Sequence, residues 1–251
     1  MRKYDIRAAD ILLALVLLTR LPLPHLPQEA FKRQSAAVWA FPLAGLAVAL
    51  PACLVASLAL RLDLPAPVAA GLALAVQILL TGAMHEDGLA DTADGFWGGF
   101  DTARRLEIMK DSQIGTYGVL ALILGLGLRW MALAALFETA GPWFLVALAA
   151  LSRAAMPVVM HALPNARQAG LSHGVGRPGK RAVTFGVLIA LMISLPALGL
   201  YATLGASLVM IATTLGAAAL ARAKIGGQTG DILGATQQIC EIMGLVVLLA
   251  L

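Results

Sequence analysis

The chain has 251 residues, of which 60% are hydrophobic and only 13% charged, with a formal net charge of +4. Soluble domains run nearer half apolar and a quarter charged, so this composition excludes an ordinary globular protein. It also removes nucleic acid as the reason for the positive balance, because in a membrane protein basic residues mark the side that stays inside.

The first element in the chain is a short apolar run over 9–19, preceded by Arg2, Lys3 and Arg7. It imitates a secretory leader. However, Asp5 and Asp10 break the basic region, and Arg20-Leu21-Pro22-Leu23-Pro24 stands where a small-residue cleavage site belongs, so the run reads as retained. At about 1.5 Å per residue it covers roughly half a bilayer, which suits an interfacial or re-entrant helix. Seven longer runs follow, over 36–60, 65–84, 116–137, 141–160, 182–203, 205–221 and 232–251. Unsatisfied backbone is not tolerated in lipid, so each is expected to be a helix. Pro42, Pro51, Pro157 and Pro196 lie inside these runs and predict kinks. Cys53 and Cys240 also lie inside apolar runs and read as packing residues, not as a disulfide or metal site. The expected fold is all-α: a polytopic transmembrane helical bundle of about seven spans plus the short N-terminal helix, forming one integral membrane domain over 1–251.

Charge sets the orientation. If the first helix does not cross, the loops 85–115, 161–181 and 222–231 share one side with most of the Lys and Arg residues. Only Arg61 falls outside, while Arg129 and Arg153 lie within spans. Threading the first helix through the bilayer fits the positive-inside rule less well in either direction, so these three loops are expected to face the cytoplasm.

The loop after the second span reads His85-Glu86-Asp87-Gly88-Leu89-Ala90-Asp91-Thr92-Ala93-Asp94-Gly95. Asp87, Asp91 and Asp94 are spaced i, i+4, i+7 and fall on one helical face. Like charges so placed destabilise a helix by about a few tenths of a kcal/mol per pair, and a divalent cation would offset this. Carboxylate oxygens are hard ligands that suit Mg²⁺ or Mn²⁺, and Mg²⁺ prefers a few carboxylates together with substrate phosphates. Gly88 and Gly95 leave room for a phosphate ester to approach. A merely solvated acidic loop is the competing reading. Against it, five of the chain's 14 acidic residues (Glu86, Asp87, Asp91, Asp94 and Asp101) gather here at a membrane edge.

Downstream, Arg104, Arg105 and Lys110 suit phosphate, although Arg105 serves equally well as a topology-setting charge. Asp111, Ser112, Gly115 and Thr116 lead into the third span, whose helix N-terminus can hold an anion. A second polar signature, Gly226-Gly227-Gln228-Thr229-Gly230-Asp231, is more than a turn needs. Asp231 is expected to join the metal cluster or to orient the substrate. Gln237, Gln238 and Glu241 should face other helices or a cavity, with Glu241 paired to Arg129 or Arg153. Loop 161–181, with His161, Arg167, His173, Arg177, Lys180 and Arg181, reads either as a lid or nucleotide contact or as a basic topology-setting loop.

Taken in order, these segments resemble the cobalamin synthase family, the adenosylcobinamide-GDP ribazoletransferases. The resemblance rests on 85–95, on Glu107-Ile108-Met109-Lys110-Asp111-Ser112 with Ile114-Gly115-Thr116, and on 226–235. It also includes Thr19-Arg20-Leu21-Pro22-Leu23-Pro24 and Phe41-Pro42-Leu43-Ala44-Gly45. The chain departs from the pattern at Glu86, where a hydrophobic residue is expected, which weighs against Glu86 as a ligand. The acidic motif is also similar in style to that of the CDP-alcohol phosphotransferases.

The resemblance implies a bacterial inner-membrane enzyme with its active site toward the cytoplasm. It would join α-ribazole, or its 5′-phosphate, to adenosylcobinamide-GDP with release of GMP. It implies Mg²⁺ held by Asp87, Asp91, Asp94 and Asp231, with Asp87, or less readily His85, taking the proton of the ribazole 5′-hydroxyl. Arg20, Arg104, Lys110, Asp111, Ser112, Gly115, Thr116, Gln228, Thr229 and Gly230 would contact substrate. Other late corrinoid-pathway enzymes are expected partners, as is the lipid bilayer, and nucleic acid is not. Two rival readings are an ion-coupled secondary transporter that uses Arg129, Arg153 and Glu241 at mid-membrane, and a non-catalytic scaffold.

Overall fold

A computed structural model describes residues 6–251, and every regular element among them is helical. Arg2, Lys3 and Asp5, which entered the leader comparison, lie outside the described residues. The first helix, α1 (Ala9–Leu18), is ten residues long and too short to cross alone. Asp10 fixes it in place. Its carboxylate accepts from Nε and Nη2 of Arg33, each at 2.9 Å, and from Nε1 of Trp39 at 3.1 Å. The acid that interrupts the leader-like region therefore clamps α1 to the next element by a two-pronged, charge-assisted contact. That element comprises α2 (Gln28–Phe31), α3 (Gln34–Ala37), a 3₁₀ turn (Val38–Ala40) and α4 (Phe41–Arg61).

The chain then forms a corner. α5 (Ala66–Thr81) and α6 (Met84–Gly98) meet at 86°. Gly82 and Ala83 between them both adopt left-handed backbone, with φ of 64° and 58°. For the alanine this costs about 1 kcal/mol. The corner turns the acidic helix α6 nearly at right angles to α5. Next come α7 (Thr102–Ile108), α8 (Thr116–Thr139), α9 (Phe144–Ala162), α10 (Leu171–Val175), α11 (Lys180–Ile225) and α12 (Gly230–Ala250).

Five of these helical stretches are long and apolar enough to cross a membrane: Gln34–Arg61, α8, α9, α11 and α12. The bent pair α5–α6 would be a sixth. The sequence suggested about seven. The difference has two sources. α5 has only 16 residues and falls short alone. α11 counts once although Gly199 breaks it, with φ 74° and ψ 175°. Val187 and Leu215 both line one cavity of about 310 Å³, together with Leu151 of α9. A straight helix would hold those two residues about 42 Å apart. α11 therefore doubles back at Gly199, and its arms correspond to the fifth and sixth predicted runs.

At the centre stands α9. Of its most apolar stretch 89% is buried, against 17% for α11. Ala147, Ala149, Ala150, Ala154 and Ala155 give it a slim profile that lets its neighbours close in.

Candidate active site

The site is built where α6 crosses α12. A Cβ on Gly88 would lie 2.8 Å from the backbone oxygen of Asp231, and one on Gly234 would lie 3.2 Å from the Cα of His85. One glycine from each helix thus allows the two backbones to touch. Gly88 makes room for Asp231, and not, as the sequence suggested, for a phosphate ester. Gly95 likewise accommodates Met109 and the Arg105 carbonyl of α7. The α6–α12 contact brings Asp231 into the electrostatic range of Asp87 and Asp91 from the far end of the chain.

Asp87 is exposed, while Asp91 and Asp231 are partly buried. Oδ2 of Asp231 accepts from Nη1 of Arg167 at 3.0 Å and from the Thr229 hydroxyl at 3.1 Å. Arg167 also donates through Nη2 to the Leu106 carbonyl at 3.1 Å. Burial pushes the Asp91 carboxyl up to about 7. The charges of Asp87, Asp231 and Asp94 add to this, and Arg167 opposes it. Three carboxylates therefore share one guanidinium, which leaves an excess of negative charge. Among the described residues, however, no three His, Cys, Asp or Glu side chains converge closely enough to hold a metal ion. The hard-oxygen donor set and its uncompensated charge suit a divalent cation, and the side chains would have to close around one.

Asp94 shares the predicted face but has a different task. Its carboxylate accepts from the backbone N–H of Gly115 at 2.7 Å and of Gly118 at 2.8 Å. A Cβ at either glycine would collide with this carboxylate. The anion expected at the N-terminus of the third span is thus a side chain of the protein itself. Lys110, Asp111, Ser112 and Thr116 are exposed on or next to the connection before α8, and the Asp111 carboxylate accepts from the Gln113 N–H at 3.1 Å. Arg104 pairs with Glu107 at 2.7 Å on the surface. Arg105 is structural, binding the carbonyls of Gly99, Phe100 and Lys224 at 3.0–3.1 Å. Arg20, expected to contact substrate, lies across Gly82 at the α5–α6 corner.

The second polar signature holds loop 161–181 in place. The Gln228 amide donates to Asn165 Oδ1 and its oxygen accepts from the Ser172 hydroxyl, both at 2.6 Å. Backbone bonds from Ala166 N–H to Gln228 and from Gln228 N–H to Pro164, each 2.9 Å, complete the seam. Thr229 caps α12 and Gly230 is open. Behind this seam lies a cavity of about 190 Å³ whose wall includes Asp87, Asp231, Arg167 and His85. The structure thus adds Arg167, which the sequence left undecided between two roles.

Glu86 points the other way from Asp87. Buried Arg129 donates to Glu86 at 3.0 Å, Gln238 at 2.9 Å, and Gln77 and Glu241 at 2.8 Å each. Gln237 bridges Glu241 at 2.6 Å and Ser152 at 3.1 Å. Of the two partners considered for Glu241, the structure selects Arg129. Arg153 is buried and donates to the Ala149 carbonyl at 3.3 Å. The transporter reading gains no support, since Arg129 and Glu241 are spent on each other.

Residues 10–249 match the cobalamin-5-phosphate synthase family. A protein of Sinorhizobium sp named adenosylcobinamide-GDP ribazoletransferase is 46% identical over 93% of this chain and 93% of its own length. Namesakes from Bradyrhizobium diazoefficiens and Mesorhizobium japonicum are 46% and 43% identical, each over 95% of this chain and 92% of their own. No solved structure matches the chain. With motifs, helical architecture and near-complete coverage in agreement, the chain belongs to the cobalamin-5-phosphate synthase family.

Proposed function

We propose that the protein is an adenosylcobinamide-GDP ribazoletransferase whose active site is the Asp87–Asp91–Asp231 cluster. A ribose hydroxyl of α-ribazole, or of its 5′-phosphate, forms a bond to the phosphorus next to cobinamide. The diphosphate bridge breaks, GMP departs with the bridging oxygen, and the hydroxyl proton goes to a base. The family's name refines the nucleophile. A 5-phosphate product implies that the 5′ oxygen is already esterified when the phosphorylated substrate reacts. The attacking group is then another ribose hydroxyl, a correction to the 5′-hydroxyl expected from sequence.

The observation that carries this reading is the meeting of α6 and α12, with Asp87 and Asp231 both on the wall of the 190 Å³ cavity. Asp87 is the exposed carboxylate on that wall and takes the proton. Arg167, held across Asp231 and Leu106, has its charge in reach of an entering diphosphate. Asp87, Asp91 and Asp231 would hold Mg²⁺. A bound Mg²⁺ neutralises charge on the diphosphate and the leaving GMP. Asp94 supports the N-terminus of α8 and is outside this ligand set. The many basic residues of loops 85–115, 161–181 and 222–231 support a site turned toward the cytoplasm of the inner membrane.

The test is GMP release by the purified protein in detergent, with adenosylcobinamide-GDP and α-ribazole, in Mg²⁺ and in EDTA. Turnover is expected only with Mg²⁺. Release undiminished in EDTA would remove the metal assignment, and no release in either condition would remove the function.

A further inference from the structure

The cavity beside the cluster differs from it in chemistry. Much of its wall is aliphatic or aromatic, from Leu17, Phe41, Met156, Met160, Val175 and Leu233, all buried. These come from α1, α4, α9, α10 and α12, so five helices shape one pocket. Asn165, Ser172 and Gln228 also line it but are bonded to one another. Two residues that line it each carry a buried side-chain nitrogen without a partner: Arg167, at the cluster, through Nε, and His85, only 1% exposed, through Nε2. An unpaired buried polar atom beside a preformed cavity is one that a ligand atom can satisfy once the side chain turns toward it.

Building on the transferase reading, we propose that this cavity seats the benzimidazole ring of α-ribazole, with His85 meeting its free ring nitrogen and the ribose directed at Asp87. The alternatives fit less well. A corrin is too large for about 190 Å³. A guanine ring carries several donors and acceptors along one edge. Set against this wall, each left unpaired would cost roughly 1–3 kcal/mol. A benzimidazole in a nucleoside has a single free nitrogen, which one open imidazole N–H satisfies. The apolar remainder of the ring gains from burial against the methionines and leucines.

Two substitutions narrow the cavity. Met160→Trp fills it from α9. Leu171→Trp does so from its lip, where the residue is 52% exposed and folding is not at stake. α-Ribazole binding is read by its own fluorescence in EDTA without the second substrate, and KM is measured for both substrates in Mg²⁺. Each variant is expected to weaken α-ribazole by about tenfold in Kd and KM, with KM for adenosylcobinamide-GDP within about twofold. His85→Phe should also weaken α-ribazole selectively. Free benzimidazole should compete with α-ribazole and not with adenosylcobinamide-GDP. Unchanged α-ribazole affinity in a folded Leu171→Trp protein, or competition of benzimidazole with adenosylcobinamide-GDP, would overturn the assignment. Selective loss of α-ribazole binding without GMP release by the unaltered protein would keep the cavity and discard the transferase reading.

Discussion

Glu86 and Asp87 are neighbours on one helix, yet they belong to opposite kinds of charge constellation. Glu86 enters a charge-balanced network. Arg129 uses both terminal nitrogens on four acceptors, and Arg129 and Arg153 balance Glu86 and Glu241. Asp87 joins a set in deficit, three carboxylates against Arg167. Burial demands that the charges of the first set be paired. The second can stay open because it meets solvent, and an open set is what a cation and a diphosphate can complete. The contrast separates residues that hold the bundle together from residues proposed to act on a substrate.

Substitutions on the two sides should fail in opposite ways. Asp87→Asn is expected to lower GMP release by about 10³-fold or more with the unfolding midpoint in detergent preserved. A variant that unfolds instead would move Asp87 to the structural side. Arg129→Met strands two buried carboxylates and should cost about 3–5 kcal/mol, measured by denaturant unfolding in detergent. A stable but inactive protein would reverse the comparison. Gly118→Ala forces a methyl against Asp94 and should cost about 1–3 kcal/mol. Because Asp94 is on the supporting side, KM for both substrates should be retained.

The smallest effect is a pH dependence. With the Asp91 carboxyl near 7 in the fold and an ordinary 3.8 when unfolded, the folded state binds the extra proton between those values. Metal-free stability should therefore fall as pH rises from about 4 to 7 and level off above. Asp91→Asn should flatten that slope, and Mg²⁺ should shift it to lower pH by displacing the proton. A slope unchanged in Asp91→Asn would assign the titration elsewhere.

Much of this was legible beforehand for a definable reason. The acidic face of α6 and the polar turn before α12 stand out because charges and paired glycines are costly at a membrane edge, and Asp231 does come within electrostatic range of Asp87 and Asp91. The polar residues of α12 were rightly placed against other helices. What misled was the helical wheel. It put Asp94 beside Asp91 but could not show that Gly115 and Gly118 draw its carboxylate to the next helix. Nor could spacing tell that Gly88 admits a backbone and not a ligand. Gly199 hides in an apolar run, and a bend there is a property of one φ angle, not of composition.

The crossing of α6 by α12 also bears on how the protein is made. The acidic helix leaves the ribosome early, and its partner carboxylate comes only with α12. Folding during synthesis proceeds from the N-terminus. Until α12 is threaded, Gly88 has nothing to receive and Asp87 and Asp91 lack the Asp231 flank. A chain released before Gly230 would therefore carry the acidic helix without the element that the proposed site needs to assemble.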